Sequence, residues 1–118
     1  MRIFVDTGAW IAIADRNDQY AKIASQFYTD LIHQRRNLIT SDLIHVETFN
    51  LLSRTIGSKT TVKFGNVLKT HPFLIIEPIT RLDWERGMSI LSSMGLMCFH
   101  NNVFSHSINK KAGLLKWQ

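Results

Sequence analysis

The stretch Met1-Arg2-Ile3-Phe4-Val5-Asp6-Thr7-Gly8-Ala9-Trp10-Ile11-Ala12-Ile13-Ala14 decides the fold of this chain. Ile3-Phe4-Val5 is a β-branched and aromatic run of strand length. Asp6-Thr7-Gly8 interrupts it, and Ala9 to Ala14 continues apolar without the alternation of a half-buried strand, so the order is strand, turn, helix. Working outward, Asp15 to Asp18 breaks the pattern, and Tyr20, Ile23, Ala24, Phe27 and Leu31 recur at the three-and-four spacing of an amphipathic helix.

Leu38-Ile39-Thr40 predicts a second short strand. Ser41 or Asp42 then caps a helix carrying Leu43, Ile44, Val46, Leu51 and Leu52, which ends at Gly57-Ser58. A helix over Lys59 to Lys69 follows. His71-Pro72 stops it, because proline disfavours helix in the residue before it, and Phe73 to Glu77 predicts a third strand. Thr80 with Asp83 forms a capping box for a helix through Leu82, Met88, Ile90 and Leu91. Strands alternating with helices predict an α/β fold with a parallel sheet, since parallel neighbours need crossovers of about a dozen residues or more. From Gly95 onward the pattern thins to Val103, Ile108 and Ala112 among polar residues, and a last helix is expected there.

The length of 118 residues, 45% hydrophobic and 19% charged, suits one domain over residues 1–118 and excludes a disordered or collagen-like chain. Cys98 is the single cysteine, so no internal disulfide forms. The N-terminus lacks the pattern of a secretory signal, which predicts a cytoplasmic protein, and no apolar run is long enough to cross a bilayer. The net charge of +5 favours an anionic partner such as nucleic acid. It is unevenly spread: beyond residue 85 stand Arg86, Lys110, Lys111 and Lys116 and no acidic side chain.

Asp6 stands where a buried strand ends, at the carboxyl edge of the sheet where open α/β folds place ligands. A helix N-cap and a functional carboxylate both satisfy that position. Glu47 lies four residues after Leu43 and four before Leu51, which places it on the apolar stripe of its helix. A carboxylate there calls for a cation, a hydrogen-bond cluster or a metal, unless the helix end is wet or Arg54 pairs with it. Brought together across the crevice, the two would suit Mg²⁺ or Mn²⁺, hard cations that keep several waters and promote phosphodiester hydrolysis. The five histidines show no zinc-binding spacing, Cys98 has no reactive motif around it, and neither a P-loop nor a dinucleotide fingerprint is present.

Two blocks of the chain resemble the PIN domain family. Ile3-Phe4-Val5-Asp6-Thr7-Gly8-Ala9-Trp10-Ile11-Ala12 is similar to the opening of a PIN domain, in which the first strand delivers a metal-binding aspartate. Thr40-Ser41-Asp42-Leu43-Ile44-His45-Val46-Glu47-Thr48-Phe49-Asn50-Leu51-Leu52 resembles its second block, which carries a glutamate on the third helix. The likeness runs from about Met1 to Gly95 and degrades over 96–118. It implies a three-layer α/β/α sandwich around a parallel sheet, and an acidic cluster that binds Mg²⁺ or Mn²⁺ and cuts RNA. It also implies a small stand-alone toxin that is homodimeric and held by a small antitoxin protein. By position, Asp6 and Glu47 would be metal or metal-water ligands, and Thr7 the polar residue that orients the first aspartate or a water.

The third block departs from the pattern. Phe99-His100-Asn101-Asn102-Val103 places Asn101 where the family has an essential aspartate, leaving a neutral amide oxygen as the metal donor. A fourth acidic position, expected after a last short strand, is missing as well. Two origins account for an atypical or truncated C-terminal part: a shift of reading frame near Met94, or divergence toward a basic tail that binds RNA or a partner without cutting. Truncation before a final strand would also leave a sheet edge or an apolar face for self-association to cover. The implied nuclease thus stands beside an alternative, a catalytically inactive PIN-like module.

Overall fold

In the computed structural model the described residues are 2–93, together with the backbone of Met94 and of Gly113–Leu115. The chain runs β1 (Arg2–Val5), α1 (Thr7–Ala14), α2 (Ala21–His33), β2 (Asn37–Ser41), α3 (Asp42–Thr55), α4 (Ser58–Lys69), β3 (Leu74–Glu77), α5 (Arg81–Met94) and β4 (Gly113–Leu115). The strands form one parallel sheet in the order β3-β2-β1-β4. This is the α/β fold with a parallel sheet that the alternation of strand and helix predicts, and it agrees with the sandwich that the family resemblance implies.

The local signals act where the sequence places them. Ser41 Oγ accepts the amide of Ile44 at 3.1 Å and caps α3. Asp42 is left to accept from the amides of Leu43 and Ile79 through its Oδ1, at 2.7 and 3.1 Å, and so ties the loop after β3 to the start of α3. Thr80 and Asp83 form the reciprocal box expected of them: each accepts the other's amide through its side chain, at 3.2 and 2.9 Å. Gly57 takes a φ of 85° before α4, a left-handed conformation that costs glycine little.

The core lies between sheet and helices. Ile3, Phe4 and Val5 of β1 and Leu38 and Ile39 of β2 are buried, and Ala9, Trp10, Leu31, Ile44 and Leu68 pack against them. Trp10 is fully enclosed and meets Tyr28, His45 and Phe64 edge-on, with ring centroids 6.2 to 6.3 Å apart. Aromatic pairs favour that arrangement, because the positive ring edge meets the negative ring face.

Two expectations change. The far edge of β1 does not stay open: Gly113–Leu115 pairs with it in parallel, Ile3 opposite Gly113 and Val5 opposite Leu115. A three-residue strand between a Lys-Lys pair and a tryptophan carries too little pattern to be read from sequence. The edges of the sheet are β3 and β4. The second change concerns α2, where Ile23 and Phe27 face solvent and Tyr28 turns toward Trp10 instead. The last helix, expected through Val103, Ile108 and Ala112, lies outside the described residues. Among the described residues, no helix is long and apolar enough to cross a membrane.

Candidate active site

Strand order fixes the site. From β1 the sheet grows through β2 to β3 on one side and reaches β4 on the other, so the order reverses at β1. Open parallel sheets hold ligands in the crevice outside the carboxyl ends of their strands, where such a reversal occurs. Asp6 directly follows Val5, the last residue of β1.

The Asp6 backbone is extended, with φ −92° and ψ 178°, and its Oδ1 accepts the amide of Ala9 at 3.1 Å. Asp6 is therefore the N-cap of α1, and a negative charge there is also favoured by the helix dipole. The cap engages Oδ1 and is compatible with a second role for the carboxylate. Thr7, the first residue of α1, donates its hydroxyl to Glu47 Oε2 at 3.2 Å. That single bond joins the start of α1 to the second turn of α3, and it sets the Glu47 carboxylate beside the residue that follows Asp6.

The stripe argument for Glu47 needs correction. The buried positions of α3 are Ile44, Thr48 and Leu52, whereas Val46 and Leu51 are exposed and Leu43 is half-buried. The core face lies one residue further along the helix than the leucines at 43 and 51 suggest, because a threonine at its centre hides it. Glu47 flanks that face and is half-buried, and its carboxylate reaches Thr7.

His45, one turn before Thr48, packs on Trp10 and Phe49, and its Nε2 is buried with no hydrogen-bond partner among the described residues. Burial holds its imidazole below the usual histidine range, which favours the neutral ring. Asn101, the third expected metal donor, lies outside the described residues. Among those described, no three or more His, Cys, Asp or Glu side chains converge as a metal cluster.

Two carboxylates and a hydroxyl are oxygen donors only. Such a set fits Mg²⁺ or Mn²⁺, which bind through one or two carboxylates and otherwise keep waters or take substrate phosphates. It does not fit zinc, which prefers nitrogen and sulfur ligands. Sequence reasoning missed Thr40 and Trp10, which brace this edge from inside the core. Trp10 Nε1 donates to Thr40 Oγ1 at 3.3 Å, and Thr40 Oγ1 donates to the carbonyl of Val5 at 2.9 Å. The available signal was Thr40-Ser41 closing an otherwise apolar strand, two hydroxyls where a buried strand offers none for packing.

Fold and site together define a parallel α/β domain with Asp6, Thr7 and the Glu47 carboxylate at the end of β1, where its strand order reverses. The PIN domain family model matches residues 3–103, and the chain belongs to the PIN domain family. The match extends past Gly95 and takes in the stretch that contains Asn101. Among solved structures, the chain is similar to VapC20 of Mycobacterium tuberculosis, described as a sarcin-ricin loop cleaving toxin. The TM-score is 0.80 at 21% identity, over 98% of this chain and 89% of the other. At that identity the likeness is one of fold. No curated protein matches the chain in sequence.

Proposed function

We propose that the chain is a metal-dependent ribonuclease of the PIN-domain toxin type, hydrolysing phosphodiester bonds of RNA. The observation that carries this reading is the Thr7–Glu47 hydrogen bond beside Asp6 at the carboxyl end of β1, in a chain of the PIN family. Asp6 and Glu47 would hold Mg²⁺ or Mn²⁺ through carboxylate oxygens, and Asn101 is proposed as a neutral third donor. When bound, such an ion polarises a phosphoryl oxygen and lowers the pKa of an attacking water.

The remaining work falls to the protein. Thr7 fixes the rotamer of Glu47, and Ala9 fixes that of Asp6, so both carboxylates are oriented before an ion or substrate arrives. Preorganisation of this kind spares the reorganisation otherwise needed during the reaction. The net charge of +5 attracts the polyanionic substrate. A small antitoxin protein and a homodimer belong to the same reading, as does action in the cytoplasm.

The second reading is a catalytically inactive PIN module that binds RNA or an antitoxin. It is favoured by a specific observation: no third acidic side chain joins the pair among the described residues. Cleavage of single-stranded and structured RNA under a Mg²⁺ or Mn²⁺ titration separates the two, with a sarcin-ricin loop RNA among the substrates because VapC20 is a toxin that cuts that loop. Cleavage that needs the metal and is lost in Asp6→Asn supports the nuclease. Absence of both cleavage and a millimolar metal site supports the binding module.

A further inference from the structure

We propose that Thr40 is a positioning residue for Asp6, its hydroxyl closing a hydrogen-bonded ring that holds the aspartate's backbone at the end of β1. The proposal rests on the reading of Asp6 as a metal ligand.

The ring has three bonds. Thr40 Oγ1 donates to the carbonyl of Val5 at 2.9 Å, Trp10 Nε1 donates to Thr40 Oγ1 at 3.3 Å, and the backbone amide of Trp10 donates to the carbonyl of Asp6 at 3.1 Å. The peptide carbonyls on both sides of Asp6 are thus held, one by Thr40 and the other by Trp10, and Trp10 is itself tied to Thr40. Asp6 adds a fourth contact when its Oδ1 accepts the amide of Ala9 at 3.1 Å. With both flanking carbonyls fixed, the direction of the Asp6 Cα–Cβ bond is set by the core rather than by the crevice.

The ring is dry. Thr40 and Trp10 are both 0% exposed. A buried hydroxyl is costly unless it is hydrogen-bonded, and Thr40 meets this requirement by donating once and accepting once. Thr48 is equally buried, yet its hydroxyl has no hydrogen-bond partner among the described residues. Buried hydroxyls here are not all held the same way: Ser41 and Thr61 bond to the backbone of their own helix turns, whereas Thr40 bonds across the sheet edge to the carbonyl next to Asp6. Valine at position 40 would keep the shape but remove both the hydrogen bond to the Val5 carbonyl and the acceptor of the buried Trp10 indole N–H. Serine would keep both bonds.

The test uses the full chain and two measurements. The first is amide hydrogen exchange of Ala9, which reports the Asp6 cap, divided by that of Leu52 in the α3 core, which reports general stability. Thr40→Val is expected to raise this ratio about tenfold, Thr40→Ser to keep it within about twofold of wild type, and Thr48→Val to leave it unmoved. An unchanged ratio in Thr40→Val overturns the proposal. If that variant does not fold, Thr40→Cys, with a thiol that donates and accepts weakly, reads the same ratio.

The second measurement is Mn²⁺ titration of the same proteins. Weaker binding in Thr40→Val with recovery in Thr40→Ser supports the positioning role. Wild-type binding that is unchanged in Thr40→Val overturns that role alone. A wild-type chain with no Mn²⁺ site overturns the metal reading of Asp6 and, with it, the functional meaning of the ring.

Discussion

The Thr7 hydroxyl lies 3.2 Å from Glu47 Oε2 and joins residues forty positions apart in sequence. The bond links the first turn of α1 to the second turn of α3 beside the aspartate that follows β1. A threonine at the start of a helix often serves only the helix backbone. Here the cap is supplied by Asp6, and the Thr7 hydroxyl is directed to a second carboxylate. Thr7→Val is expected to lower RNA cleavage about tenfold through loss of one hydrogen bond to a charged group, and Thr7→Ser to restore it. Equal cleavage by the valine variant would place Thr7 outside the site.

Asp6 combines a cap with a proposed ligand, and two substitutions separate the roles. Asparagine caps helices about as well as aspartate, so Asp6→Asn is expected to keep stability within about 0.5 kcal/mol while losing cleavage and metal binding. Asp6→Ala loses the cap as well and should cost about 1 kcal/mol more in urea unfolding. If the asparagine variant kept full cleavage, Asp6 would be a cap and nothing else.

Arg35 holds a φ of 52°, the one left-handed residue other than glycine among those described. It ends α2 in a Schellman motif, in which the amide of Arg36 reaches the carbonyl of Leu31 and the amide of Arg35 that of Ile32, both at 3.0 Å. Glycine is favoured at that position because a Cβ costs roughly 1–2 kcal/mol in the left-handed region. Arg35→Gly is therefore expected to raise the urea midpoint by an amount worth about 1 kcal/mol, with an unchanged m-value. A lowered midpoint would show that the arginine side chain makes a contact that outweighs the backbone strain.

Acid should weaken the fold through His45 and His71. Burial lowers the pKa of both, and for His71 a backbone hydrogen bond opposes that shift in part. Each Nε2 is buried without a hydrogen-bond partner among the described residues. A depressed histidine pKa means that the unfolded chain takes up protons first as pH falls. Stability is then complete above about pH 6.5 and declines below it, toward the lower folded-state values. Urea midpoints at pH 7.5 and 5.5 should show the fall, and His71→Gln should reduce it. A midpoint that rises on acidification would contradict the sign.

Much of the fold was legible because its signals are local. The apolar run ending at Asp6, the Thr80–Asp83 box and the stop at His71-Pro72 each depend on neighbours in sequence, and each stands where expected. The site was less legible. Glu47 was found through a stripe that the structure shifts by one residue, since Thr48 occupies the core position an apolar residue would have marked. Thr40 carries no pattern at all, because its partners Val5 and Trp10 are thirty or more residues away and only the packing of α1 against the sheet brings them together. β4 was missed for a related reason: three residues make a strand only when β1 offers them an edge.

If Asp6 and Glu47 share one divalent ion, a crystal grown or soaked with Mn²⁺ will show it. An anomalous peak bonded to a carboxylate oxygen of each residue, and absent from Asp6→Asn crystals, is the predicted result. A peak bonded to neither carboxylate, or none at saturating Mn²⁺, would contradict it.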